Sequence, residues 1–208
     1  MKGSLVVVGF FALGCLLGWS GRLPAFILEN DITMYVLYLL MFQVGLSIGS
    51  DKKLKDILGS IRPKLLLVPL ATIIGTLTAS AFVGLFISKW SVFDCLAVGS
   101  GFAYYSLSSI LITQLKEASL GMQMATELGT IALIANIIRE ILALLGAPLF
   151  AKYFGRLAPI CAGGATTMDT TLPVITRYSG KDLVFVSIFH GIIVDFTVPF
   201  FVSFFCSL

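Results

Sequence analysis

The chain has 208 residues, of which 58% are apolar and only 12% charged, with a net charge of +3 and a mean hydropathy of +1.01. Soluble domains carry about 25% charged residues, so this composition excludes a water-soluble fold and indicates an integral membrane protein. The apolar runs are continuous rather than alternating, which excludes barrel strands, and about seven of them reach the roughly 20 residues a helix needs to cross a hydrocarbon core.

The first run, Leu5 to Trp19, follows a single Lys2 and is succeeded by Arg22 and Pro24 rather than a small-x-small cleavage site, so it reads as a retained first helix and not as a signal peptide. Span two covers about Thr33 to Ile48, with Glu29, Asn30 and Asp31 as a polar turn that can cap it. Between spans two and three, Lys52, Lys53, Lys55, Arg62 and Lys64 crowd one short loop whose Leu54, Ile57, Leu58 and Ile61 share a helical face. That pattern predicts a short interfacial helix on the cytoplasmic side. The amino terminus is then cytoplasmic and, after seven crossings, the carboxyl terminus periplasmic, although this count leaves Lys89, Lys152 and Arg156 outside.

Span three runs from about Leu65 to Ser88. The fourth stretch, from about Ser91 to Leu115, is interrupted by Gly99-Ser100-Gly101-Phe102-Ala103-Tyr104-Tyr105-Ser106-Leu107-Ser108-Ser109. Glycine lets the backbone leave the helix, and hydroxyls can satisfy the groups thus freed; a small-residue packing face is the plainer alternative. The fifth element, about Gly121 to Phe154, carries Glu127, Asn136, Arg139 and Glu140. Asn136 and Glu140 are four apart and so share a face, beside Arg139; an internal salt bridge that neutralises the arginine is the plainer alternative. The sixth stretch, Cys161 to Val174, holds Gly163, Gly164, Thr166, Thr167, Asp169, Thr170, Thr171 and Pro173, which predicts a second broken helix. The seventh span, Leu183 to Ser207, includes His190 and Asp195. They lie about 140° apart round a helix and do not pair, and a core histidine bonded to a neighbouring carbonyl is weighed there against a proton relay.

No linker divides residues 1–208, which read as a single all-α, polytopic membrane domain of about seven transmembrane segments, two of them discontinuous, in a transporter-like inverted-repeat architecture. Glu127, Glu140, Asp169 and Asp195 lie in apolar runs against the one arginine, Arg139. A charge at the bilayer centre costs about 2.5 to 3.5 kcal/mol, so this excess of acid favours a cation in transit. If Ser106 and Ser108 follow a break, their amides and hydroxyls can receive an anionic group while Asp169 and Glu140 hold the positive end, an arrangement suited to a zwitterionic or cationic amino acid. Protons would compete with the cargo for the same oxygens, the simplest route to antiport; Na+ uses the same ligands, and the sequence leaves both open. Hydrolytic motifs are absent and the chain has a single histidine. An aspartyl protease would need two facing aspartates, and the flanks of Asp169 and Asp195 match no such motif. The four cysteines show no C-x-x-C pair, so neither a disulfide framework nor a metal site is supported, and no cofactor or nucleic acid is expected.

Gly99–Thr113 (GSGFAYYSLSSILIT), Ile137–Leu142 (IIREIL) and Gly163–Ile175 (GGATTMDTTLPVI), followed by His190-Gly191, resemble the LysO-like lysine exporter family over nearly the whole chain. The resemblance implies export of L-lysine and toxic lysine analogues across a bacterial inner membrane. Carried over by motif, Glu140 is the acid of the R-E pair and Asp169 that of the G-G-A-T-x-M-D run. Asn136, Arg139, Tyr105, Ser106, Ser108, Thr167 and Thr170 are expected around them for substrate or protons, with helix breaks at Gly99, Gly101, Gly163, Gly164 and Pro173; Glu127, His190 and Asp195 are secondary candidates. Family members usually carry about three further spans before the point where this chain starts, which resemble an inverted copy of spans one to three here. The resemblance therefore implies a small, separately encoded membrane subunit or self-assembly. Two alternatives stay open: a non-transporting structural subunit, and a sodium-coupled transporter of another cationic solute.

Overall fold

The computed structural model describes residues 63–208 continuously and, before them, only positions 13, 14, 16–20, 35, 39, 42 and 46. Of these earlier positions all but Ser20, a turn, are helical, in line with the first two runs. The interfacial helix expected at 51–64, apart from its last two positions, and the exact limits of spans one and two lie outside the described residues.

A 3-10 turn, Pro63–Leu66, leads into α1, Leu67–Gly84. The other α-helices are α2, Val92–Gly99; α3, Tyr105–Leu120; α4, Met122–Phe154; α5, Ala158–Gly163; α6, Leu172–Ser179; and α7, Val184–Cys206. Two further 3-10 turns, Gly164–Met168 and Lys181–Leu183, precede α6 and α7. No strand occurs among the described residues. Both glycine-rich stretches are therefore broken, between α2 and α3 and between α5 and α6.

Three of these segments, Leu67–Gly84, Met122–Phe154 and Lys181–Cys206, are long and apolar enough to cross a membrane. Their outward faces carry large apolar side chains at helical spacing: Ile134, Ile138, Leu142, Leu145 and Leu149 on α4, and Phe196, Phe200 and Phe204 on α7. Water would penalise such stripes, whereas lipid accepts them.

The stretches read from the sequence as the fourth and sixth spans each fold back towards their own starting end. Asp94, in the first turn of α2, pairs with Lys116 near the end of α3 at 2.9 Å, so the chain enters and leaves at the same end. Lys89, just before α2, pairs with Glu127 near the start of α4, which places all three termini together. The second break repeats the device at the other end of α4: Arg156, before α5, donates to the carbonyl of Ser179 at the end of α6, 2.6 Å away, and pairs with Asp182. Residues 91–120 and 156–182 are thus two re-entrant helical hairpins that approach one another from opposite ends of α4. Among the described residues three helices are long and apolar enough to cross a membrane, and the two interrupted stretches double back. Periodicity cannot distinguish the two cases, because a hairpin and a broken span have the same apolar length.

Local chemistry explains where these hairpins begin and how closely they pack. Ser91 and Asp94 form a reciprocal capping box, with Asp94 N donating to Ser91 Oγ and Ser91 N to Asp94 Oδ2, each at 3.0 Å. α3 lies against α4 at Gly129, where a Cβ would strike Thr113 Oγ1 and the Ser109 carbonyl. α1 runs antiparallel to α4, touching His190 through Thr72, Arg139 through Thr76 and Gly99 through Ser80. The core so formed joins Ala97, Phe102, Leu107, Ile112, Leu128, Val194 and Val198.

The hairpin topology predicts thiol accessibility. In a variant lacking the native cysteines, Lys89→Cys and Met122→Cys should react with a membrane-impermeant maleimide from one face, and Lys152→Cys and Lys181→Cys from the other. Through-going spans would put each pair on opposite faces.

Candidate functional site

The two hairpin tips meet beside the middle of α4. The amide of Ala165 donates to the carbonyl of Phe102 at 2.8 Å, joining the turn after α2 to the turn after α5. Gly164 permits this approach: its φ is +60°, and a Cβ there would collide with the Phe102 carbonyl. Across the contact, Phe102 and Ala103 hold φ of +44° and +76°, the left-handed region that costs a residue with a Cβ roughly 1–2 kcal/mol. Strain of this kind persists where the surroundings over-determine it, and it gathers at functional sites.

α4 supplies the over-determination. The Asn136 side chain accepts from Ala103 N at 2.8 Å and donates to the carbonyls of Val98 at 3.3 Å and Ala132 at 2.9 Å. It thereby spans the gap between α2 and α3, satisfying one carbonyl and one amide released by the break. Arg139, on the next turn, serves the other hairpin. Its Nε donates to the Ala162 carbonyl and one Nη to that of Cys161, both at 3.1 Å, while the other Nη reaches Thr76 Oγ1 at 3.2 Å. The guanidinium also lies 5.8 Å from the Phe102 ring centroid. The salt bridge weighed for Arg139 is not formed among the described residues; carbonyls and a hydroxyl take its place.

α7 clamps the second tip. Thr167 Oγ1 lies 2.8 Å from the Gly164 carbonyl, 2.9 Å from the Ser187 carbonyl and 3.0 Å from His190 Nδ1. Ser187 Oγ donates back to the Thr167 carbonyl at 2.9 Å, and His190 Nε2 meets Thr72 Oγ1 at 2.8 Å. His190 is fully buried and bridges α1 to the hairpin tip through two hydroxyls and the Gly164 backbone, as the core histidine weighed from the sequence.

Three acids surround the crossing. Glu140 is 1% exposed, and its Oε2 has no hydrogen-bond partner. Asp195, in the middle of α7, is 4% exposed. Asp169, between the second 3-10 turn and α6, is exposed and accepts from the Thr170 amide. Asp169 lies within electrostatic reach of both Glu140 and Asp195. Tyr104 senses Asp195 and Asp169, and Tyr105 senses Glu140 and Asp169. The start of α3 faces this group with no side-chain cap on its first amides; Ser108 Oγ turns back to the carbonyls of Tyr104 and Tyr105, at 2.8 and 3.3 Å. A positive dipole end beside a cluster of carboxylates can hold the two ends of a zwitterion.

Of the candidates named from sequence, Glu140, Asp169 and Asp195 come together with Tyr105 and Thr170 near the two breaks, and Ser106 lies in the first turn of α3. Asn136, Arg139, Thr167, Ser108 and His190 are occupied in holding the breaks in shape. Glu127 stands apart, 44% exposed in its pair with Lys89. A cleft of about 580 Å³ between α1, α2 and α4 reaches Thr76, Ser80, Gly99, Asn136 and Arg139 but none of the three acids. The sequence reading missed the buried pair of Asp94 and Lys116. The S-x-x-D signature of Ser91–Asp94 could have revealed the first partner, and a lysine adjoining an apolar run the second.

A family model described as "Lysine exporter LysO" matches residues 8–206. The chain is similar to the lysine exporter LysO of Escherichia coli K12, at 31% identity over 207 residues, which are 98% of this chain and 64% of that protein. It is also similar to a putative lysine exporter of Haemophilus influenzae Rd, at 31% identity over 198 residues, 94% of each chain. No solved structure matches it.

Because Gly164 carries both a left-handed φ and the tip contact, Gly164→Ala should lower unfolding stability in detergent more than Gly155→Ala, which has a positive φ in open space. The difference expected is about 1–3 kcal/mol, the usual cost of overpacking, read from denaturant or thermal unfolding of the two variants.

Proposed function

The chain belongs to the lysine exporter LysO family, and from that premise we propose that it is a secondary active exporter of L-lysine and lysine analogues across a bacterial inner membrane, exchanging its cargo for protons. The observation that carries this reading is the group of Glu140, Asp169 and Asp195 at the meeting point of two helix breaks. Isolated carboxylates are costly in a membrane interior unless a positive charge visits them. Lysine brings two ammonium groups and one carboxylate. Glu140 and Asp169 take the cationic side, and the open amides at the start of α3, near Tyr105 and Ser106, take the carboxylate. With the cargo gone, protons occupy the same oxygens, so one site serves both passengers. Exporters of this family are transporters rather than enzymes, and none of the geometry above calls for a covalent step.

The unit of one spanning helix followed by one re-entrant hairpin occurs twice, as α1 with α2–α3 and as α4 with α5–α6, in opposite senses. We read this as an inverted repeat whose two hairpins open to opposite faces in turn. Orientation follows from charge. The end of α4 that holds Lys152 also holds Arg156, Arg177 and Lys181, and the basic stretch Lys52–Lys64 leads directly into α1 at that end. The other end holds Lys89 and Lys116, both paired with acids. By the positive-inside rule the first end is cytoplasmic; Lys152 and Arg156, which seven crossings would have left outside, then fall inside, while Lys89 stays outside in its pair with Glu127. A small membrane partner or a second copy of the chain, as the sequence resemblance implies, belongs to the same proposal, and co-expression with reconstitution tests it.

Glu140→Gln and Asp169→Asn should each abolish resistance of a sensitised host to a toxic lysine analogue while leaving the protein stably inserted. Retained resistance in both variants would remove the cargo site; loss of the protein itself would favour a structural subunit. A reporter fused after Leu208 should behave as periplasmic, and a cytoplasmic signal would reverse the orientation.

A further inference from the structure

Arg139 is the guanidinium at the crossing of the two hairpins, and it has no carboxylate partner among the described residues. Its three hydrogen-bond partners are the carbonyls of Cys161 and Ala162 and the hydroxyl of Thr76. The two carbonyls belong to the last turn of α5, which stops at Gly163. Carbonyls there have no partner further along the helix, and they form the negative end of its dipole. Backbone carbonyls plus a threonine hydroxyl are hard oxygen donors of the kind that bind a small metal cation. The cleft of about 580 Å³ reaches both Thr76 and Arg139. Arg139 occupies these oxygens, and the Phe102 ring covers the guanidinium at 5.8 Å.

We propose that Arg139 is a resident cation: its guanidinium occupies the carbonyl end of α5 in place of a sodium ion, which leaves mobile positive charge, among the described residues, to the carboxylates. This rests on the exporter reading for its transport consequence, which is coupling to protons without sodium. The structural half stands separately. An arginine is permanently charged and covalently held, so it gives the helix end the compensation a bound ion would give without leaving when the cargo does. It also ties the tip of the second hairpin to α4 and α1, and in this sense it is a positioning residue.

The test uses the full chain in detergent and in proteoliposomes. In detergent, replacing choline by sodium at constant ionic strength should leave the thermal midpoint of the native chain unchanged. Arg139→Ala should unfold several degrees lower and recover part of that loss with millimolar guanidinium or with sodium, whereas Arg139→Lys should fall between the two. In proteoliposomes, lysine counterflow without any ion gradient reports on lysine transport itself, and a sodium gradient should add nothing to it. Sodium-dependent stabilisation of the native chain, or sodium-driven lysine flux, would overturn the proposal while leaving lysine transport intact. Absence of counterflow would instead overturn the exporter reading, with the thermal measurements still deciding the role of Arg139. If Arg139→Ala does not fold, the native chain and Arg139→Lys decide it; an Arg139→Ala as stable as the native chain and indifferent to both cations would also overturn it.

Discussion

A helix interrupted inside a hydrocarbon layer exposes amides and carbonyls that lipid cannot satisfy, each costing several kcal/mol. Much of the crossing is arranged to meet that demand at the two breaks. Asn136 bridges the first break from a single side chain. Arg139 closes the carbonyl end of the second, Thr167 and Ser187 exchange hydrogen bonds at its tip, and the Phe102 carbonyl meets the Ala165 amide between the two. No side chain caps the start of α3, nor that of α6. An uncapped positive end next to three carboxylates is where an outside molecule would complete the structure.

Charge is apportioned along the same lines. Asp94, Glu127 and Asp182 are each matched by a lysine or arginine at the mouths of the hairpins, where they fix how the chain enters and leaves. Arg139 is matched by carbonyls. Glu140, Asp169 and Asp195 have no basic partner among the salt bridges of the described residues, and they lie at the crossing. An ion pair buried at 2.9 Å, as between Asp94 and Lys116, contributes little net stability but is costly to break, which suits a fastener. Acids without such a partner contribute none of that fastening.

Re-entrant hairpins also reconcile the polar and apolar demands on so small a domain. α1, α4 and α7 turn apolar stripes outward, while the hairpins between them bring serines, threonines and glycines to the interior without having to face lipid on every side. Small residues at these contacts let backbones approach closely, as where Gly99 meets Ser80 and Gly191 meets the Met168 amide. Such close, hydroxyl-rich packing gives association its strength where lipid removes the hydrophobic contribution.

Composition and the lengths of the apolar runs already specified a helical membrane protein, because the hydrocarbon core admits few alternatives. The glycine, serine and threonine clusters located both breaks, because those residues release and then satisfy backbone groups; the motifs around Glu140 and Asp169 marked the acids. What only the tertiary structure decided was direction and company. Whether a broken segment crosses or turns back depends on contacts between distant residues, Asp94 with Lys116 and Arg156 with Ser179, which leave no mark in local periodicity. The same holds for side-chain roles. Asn136, Arg139 and Glu140 adjoin in sequence, but which of them braces a backbone and which is left open is set by the carbonyls that the hairpin tips bring alongside, and those arrive from 22 and more residues away.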